Sequence, residues 1–135
     1  MTSNVLIQNM AFKPGQVMKI KGTVAEETCS FAFNLGKDSQ EYSLHFNPRF
    51  NEHGDSQTIV CNSMSDGVWG EEHRDSEFPF ELGKETKVYI TYQNDAFEIK
   101  LTNDHVVKFP NRYGNQTLNH LAVDGGFKMI SFKVL

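Results

Sequence analysis

The sequence is poor in the features that would crosslink the chain, bind a structural metal or anchor it in a membrane. Its two cysteines, Cys29 and Cys61, stand far apart and form no CxxC pair, so we interpret both as free thiols and expect neither a disulfide scaffold nor a zinc site. No apolar run approaches the roughly 20 residues of a membrane-spanning helix, so no membrane insertion is expected.

The sequence also has no run of residues that carry the same charge. Thirteen basic and 17 acidic residues give a net charge of -4, and no run of like charge occurs along the chain. We therefore expect no nucleic-acid partner.

The first nine residues lack the basic and apolar regions of a secretory signal, which predicts synthesis in the cytosol. A length of 135 residues without internal repeats predicts one domain over 1–135.

The apolar residues that are present alternate with polar ones at a period of two, as half-buried strands require. Clear examples are 18–21, 31–35 and 97–101, and further strands are expected at 42–47, 56–62, 86–92, 105–109 and 127–134. No segment of ten residues has a helical period; the best candidate, 115–121, could form a single turn at most. The pattern predicts an all-β fold in which two antiparallel sheets pack as a sandwich.

The two ends of the chain have apolar residues in both registers of the alternation. Terminal strands often lie at sheet edges, where open backbone groups and apolar side chains favour pairing with another chain. The hypothesis is a homodimer formed through the ends. Its expected interface residues are Val5, Leu6, Ile7, Ile130, Phe132 and Val134.

A row of hydrogen-bonding groups is predicted on one strand near the middle of the chain. Alternation places Tyr42, Leu44 and Phe46 toward the core, and Ser43, His45, Asn47 and Arg49 on the other face. Asn62, on the next strand, extends this row. From periodicity alone, a solvated sheet face ended by a proline turn is the alternative for 45–49, and a turn-forming asparagine is the alternative for Asn62.

The single tryptophan, Trp69, lies among glycines and charges, with Glu72 and Arg74 on one side of an extended backbone. A core position and an exposed aromatic platform are both open to it. An aromatic face beside amide, imidazole, carboxylate and guanidinium groups suits a hexose with an axial hydroxyl, the shape of galactose.

Three ordered segments resemble the signature of the galectins: His45-Phe46-Asn47-Pro48-Arg49, Val60-Cys61-Asn62 and Trp69-Gly70-Glu71-Glu72-His73-Arg74. The resemblance covers essentially the entire chain and is similar to the proto-type class, with one recognition domain. It implies a jelly-roll-like sandwich, of the kind shared with legume lectins, that binds lactose-type and N-acetyllactosamine-type β-galactosides without metal, cofactor or catalysis.

The resemblance also implies residue roles. His45, Asn47 and Arg49 would bind the galactose O4 region, Asn62 and Glu72 its O6, and Trp69 would stack on the ring. Glu72, Arg49 and Arg74 would reach the second sugar, whose subsite His53 would line. The implied partners are glycans on glycoproteins and glycolipids, crosslinked by a dimer. The implied location is both cytoplasmic and extracellular, with export that needs no signal peptide.

Three other functions compete with the lectin interpretation. A glycosidase needs two carboxylates across the scissile bond, and Glu72 is the only one that the pattern places. A metal site would need a closely spaced set of ligands, which the five histidines do not form. An intracellular protein-interaction module whose sugar groove is incidental remains open. The histidines are His45, His53, His73, His105 and His120.

Overall fold

A computed structural model describes residues 4–135, which form twelve β-strands and no helix. In chain order these are β1 (Val5–Phe12), β2 (Val17–Val24), β3 (Phe31–Asp38), β4 (Glu41–Glu52), β5 (Asp55–Ser65), β6 (Val68–Trp69), β7 (His73–Asp75), β8 (Glu85–Tyr92), β9 (Ala96–Lys100), β10 (Val106–Pro110), β11 (Leu118–Gly125) and β12 (Phe127–Val134). Within these residues, no helix is found that is long and apolar enough to span a membrane.

The strands pair antiparallel into two sheets. The larger sheet has the order β1-β11-β3-β4-β5-β6, with β7 also paired to β5, and the smaller has the order β10-β9-β8-β2-β12. The two-sheet sandwich predicted from the alternation is confirmed.

Phenylalanine side chains fill much of the space between the sheets. Phe31 of the larger sheet stacks on Phe127 of the smaller at 5.1 Å between ring centroids, and it meets Phe80 edge-on at 5.3 Å. Such aromatic contacts add to the free energy gained by burying the rings. Because one face of each sheet is committed to this core, the opposite faces of both sheets are free to carry polar groups.

No helical turn forms at 115–121, the segment with the best helical hint, because β11 begins at Leu118. This strand lies between β1 and β3, and five of its first six residues are buried. A strand covered in this way loses the clean alternation that identifies a half-buried strand in a sequence.

The terminal strands β1 and β12 lie at the edges of the two sheets, as predicted. Leu6 and Ile130 are 53% and 54% exposed. The other four residues proposed for the interface are partly buried against the core: Val5, Ile7, Phe132 and Val134. Leu6 and Ile130 are therefore the members of this set that project most strongly into solvent.

Candidate functional site

The polar row predicted on β4 and β5 lies on the outer face of the larger sheet. His45 is the register partner of Asn62, and Arg49 is the partner of Thr58. The row borders a groove of about 770 Å³, a size typical of small-ligand sites. Seven of the predicted site residues line this groove: His45, Asn47, Arg49, His53, Asn62, Trp69 and Glu72. Arg74, the eighth, is not among the lining residues but contacts Glu72, which is.

One predicted orientation was wrong at the start of β4. Tyr42 lines the groove, whereas Ser43 is fully buried. The cause is a β-bulge: Gly36 pairs with Tyr42 and Leu35 pairs with Leu44, so Ser43 is an extra residue. An extra residue reverses the alternation on one side of the bulge, and it brings the Tyr42 ring within 6.2 Å of the Trp69 ring.

His45 is oriented by residues that the sequence did not reveal. The Nδ2 of Asn34 donates to the Asp124 carboxylate at 2.7 Å, which turns the Oδ1 of Asn34 toward the Nδ1 of His45. His45 therefore donates from Nδ1, and its Nε2 is left as an acceptor. Burial, and then the nearby Arg49 charge, lower the pKa of His45 to about 4, so the ring is neutral at physiological pH.

Asn47 and Arg49 hold each other in place. The Nδ2 of Asn47 donates to the Phe31 carbonyl at 2.8 Å, and its Oδ1 accepts from the Nε of Arg49 at 2.9 Å. The second N–H of the Asn47 amide therefore has no hydrogen-bond partner within residues 4–135 and is available to a ligand. Arg49 is 7% exposed, so its charge needs nearby partners.

Asp55 provides the main partner and was also missed from the sequence. It accepts from Arg49 Nη1 at 2.7 Å and from Arg74 Nε and Nη2 at 3.0 Å each. Glu72 completes the ring, with an oxygen 3.0 Å from Arg74 Nη2 and another 3.8 Å from Arg49 Nη2. Hydrogen bonds from Arg74 and then Arg49 hold the pKa of Asp55 below its usual range. We call these four residues the charge ring.

Trp69 forms the wall of the groove beside His45. Its side chain is 49% exposed, and its ring lies 4.6 Å from the imidazole at an interplanar angle of 57°. Of the two interpretations left open by the sequence, the exposed platform is the one observed. A large apolar face beside polar groups is typical of sugar-binding sites.

The segment after Trp69 is fixed by contacts that include a fourth missed residue, Arg112. The Nδ2 of Asn62 donates to the Gly70 carbonyl at 3.1 Å, and Arg112 donates to the Ser63 hydroxyl at 2.9 Å and to the Glu71 carbonyl at 2.8 Å. A Cβ at Gly70 would lie 2.8 Å from the Arg112 guanidinium. A larger residue there would push the Arg112 guanidinium away and disturb its hydrogen bonds to Ser63 and Glu71.

His53 lies at the far end of the groove from Trp69. It is in the left-handed backbone region at φ 50°, its side chain is 70% exposed, and its Nε2 lies 3.1 Å from a Glu52 oxygen. Fewer contacts hold it than hold His45. In residues 4–135 no group of three or more histidines, cysteines or carboxylates is placed to hold a metal ion.

Comparison with known proteins agrees with this geometry. The sequence model of the galactoside-binding lectin family matches residues 3–134. Mouse galectin-1 is 49% identical over 96% of each chain. A toad ovary galectin solved with thio-digalactose superimposes with a TM-score of 0.95, at 36% identity over 100% of both chains.

A chicken liver homodimeric agglutinin, CG-16, has a TM-score of 0.93 and is 39% identical, with 97% of this chain and 98% of that chain covered. These proteins are lectins and not enzymes, and each has a single domain of similar length. The chain belongs to the galectin family and is a β-galactoside-binding lectin of the proto-type form.

Proposed function

We propose that the groove binds terminal β-galactose, as in lactose and N-acetyllactosamine, through its axial 4-hydroxyl. The observation that carries the proposal is the convergence of one acceptor and two kinds of donor at one place. His45 offers the lone pair of Nε2, Asn47 offers an N–H, and Arg49 offers its guanidinium edge.

A single hydroxyl satisfies all three groups at once. Its proton goes to His45, and its two lone pairs accept from Asn47 and Arg49, which is the full hydrogen-bonding capacity of a hydroxyl. The neutral state of His45 is essential, since an imidazolium has no lone pair to offer. An equatorial hydroxyl points roughly along the mean ring plane, so it does not reach these three groups. They would then stay buried and unpaired, and that penalty exceeds the net contribution of the hydrogen bonds.

The rest of the sugar has partners on either side. We assign the exposed face of Trp69 to the C–H surface of galactose and Asn62 to its 6-hydroxyl, because both side chains line the same groove. We assign Glu72, Arg49 and Arg74, which are linked through Glu72, to the second sugar, together with His53, which lines the same groove. About 100 Å² of apolar contact and several hydrogen bonds, less the cost of association, give a monovalent Kd between about 1 mM and tens of micromolar.

Calorimetric titration with lactose and with cellobiose tests the proposal, because these disaccharides differ only in the configuration of one 4-hydroxyl. We expect lactose to bind with a Kd in the range above and cellobiose to give no measurable heat. Equal binding of the two sugars would contradict the assigned role of His45, Asn47 and Arg49.

We further propose that the chain forms a homodimer through its edge strands and thereby crosslinks glycans. Both terminal strands have open edges, and Leu6 and Ile130 expose apolar surface beside them. The chicken agglutinin of the same fold is homodimeric. Two weak sites on one dimer can bridge two glycans or gain about 100-fold in avidity where both engage.

Replacing Ile130 with Asp tests the dimer. Ile130 is 54% exposed and is the extra residue of a bulge in β12, so the fold should tolerate the change. We expect a monomer in sedimentation that binds lactose normally but does not agglutinate cells. Val106→Asp is the matched control, since Val106 is 45% exposed on β10 at the opposite edge of the same sheet. A dimer that persists in Ile130→Asp would argue against this interface.

Crosslinking of surface glycans also requires protein outside the cell, in addition to the cytosolic pool expected from the sequence. Release of the protein from intact cells by a lactose wash, but not by a sucrose wash, would support that location. Partner binding that persists in saturating lactose would instead support the intracellular interaction module.

A further inference from the structure

The outer face of the smaller sheet concentrates positive charge. Outward positions on its strands hold seven of the ten lysines, whereas the carboxylates at these positions are Glu85 and Glu98. Seven positive against two negative charges give the face a formal +5, in a chain of net charge -4. We call it the lysine face. Its lysines are Lys19, Lys21, Lys87, Lys100, Lys108, Lys128 and Lys133.

The lysines oppose one another across the strands. Lys133 is the register partner of Lys19, and Lys21 is the partner of Lys87. Like charges directly opposite each other on a sheet are destabilising. Ion pairs partly offset this repulsion at two lysines: Lys21 pairs with Glu85 at 3.4 Å, and Lys100 pairs with Asp104 at 3.5 Å. Among residues 4–135 the other five lysines form no ion pair, so internal pairing does not account for the arrangement.

The spacing of the charges suits a long, regularly charged ligand. Lys133, Lys19 and Lys100 lie in one row across four neighbouring strands, with Tyr89 between the last two. Strands lie about 4.8 Å apart, so this row is about 14 Å long. Lys21 and Lys87 form a second row, about two residues or 7 Å along the strands.

We propose that the lysine face binds a linear sulfated polysaccharide. A chain laid across the strands meets one ammonium group after another, and separate sulfate groups need point charges and no planar fork. The larger sheet holds the galactoside groove on the opposite side of the sandwich, so both ligands can bind together. The inference does not depend on the sugar specificity of that groove.

Other polyanions fit this face less well. Nucleic-acid recognition favours arginine and stacked aromatics, and these outward positions carry no arginine and one aromatic residue, Tyr89. An anionic membrane favours an apolar anchor within the basic patch. The exposed apolar residues here, Val106, Ile130 and Leu135, stand instead on the two edge strands or directly after one of them.

Heparin is the probe, tested at 0.15 M salt in saturating lactose by titration against the unmodified protein and two double variants. Each lysine beside an anionic surface contributes about fivefold in affinity, so Lys19→Gln with Lys133→Gln should weaken heparin binding about 25-fold. Lactose affinity should not change, and the melting temperature should not fall, since a repulsive pair is removed. Lys13→Gln with Lys37→Gln, off the lysine face, should bind heparin normally.

Three results would overturn the proposal. The first is elution of the protein from heparin by lactose, which would assign the binding to the groove. The second is equal heparin affinity of the two double variants. The third is tighter binding, at the same salt, to duplex DNA or to phosphatidylcholine vesicles containing phosphatidylserine than to heparin.

Discussion

Replacing Trp69 with leucine is expected to weaken lactose binding roughly 50-fold while leaving the fold unchanged. The contact between the indole face and the sugar buries about 100 Å², which corresponds to about 2.5 kcal/mol or about 70-fold in affinity. Leucine has no flat face and retains a small part of that contact. Because Trp69 is 49% exposed, the change leaves little of the core uncovered and stability should hardly alter.

Calorimetry with lactose measures the affinity, and circular dichroism checks the fold. Val68→Ala is the control, since Val68 precedes Trp69 on β6, is 68% exposed and does not line the groove. Lactose affinity of Trp69→Leu within threefold of the unmodified protein would remove Trp69 from the site.

Replacing Arg49 with lysine is expected to reduce lactose affinity about 100-fold or more, despite the conserved charge. The guanidinium contacts Asn47 and Asp55 directly and lies 3.8 Å from Glu72, and a compact ammonium cannot reproduce that planar geometry. Arg49 is assigned one hydrogen bond to the galactose 4-hydroxyl and one to the second sugar. The loss of these two charge-assisted bonds accounts for an effect of this size. Asn47 would also lose the bond that fixes its amide.

A milder variant, Asp55→Asn, tests the charge ring without replacing Arg49 itself. It keeps Arg49 but removes its nearest charge partner, so we expect about tenfold weaker lactose binding, the effect of one charge-assisted hydrogen bond. Asp75→Asn is its control, because Asp75 binds His105 at 2.9 Å outside the groove. Normal lactose binding by Arg49→Lys would show that the guanidinium geometry is not used.

The alternation of apolar residues predicted most of the sandwich, because one committed core face is enough to mark a strand. It failed where both faces are covered or where a residue is inserted. The burial of β11 between β1 and β3 removed its period of two, and the bulge at Ser43 reversed the face of Tyr42. Neither the neighbour of a strand nor an inserted residue is visible in a local pattern.

The groove was predicted through the residues that face the ligand, and its supporting residues were missed. Asn34 and Asp124 come from β3 and β11, and they reach His45 only because these strands are neighbours in the sheet. Asp55, at the start of β5, looks like an ordinary turn residue in the sequence. Such contacts depend on strand order, which local periodicity does not specify.

The lysine face was missed for a related reason. Its charges are dispersed along the sequence and alternate with core residues, so no block of like charge appears. A sheet collects every second residue of several strands on one surface, and a strong field can arise from a chain with no charged run.

The charge ring also bears on how quickly glycans arrive and leave. Arg49, Arg74, Asp55 and Glu72 carry two positive and two negative charges within contact distance, so their fields largely cancel a few ångströms away. The ring itself thus gives little electrostatic steering, and association with neutral sugars depends on diffusion and orientation. Differences in affinity among neutral galactosides should therefore appear as differences in residence time, set by how completely each sugar fits once it is in the groove.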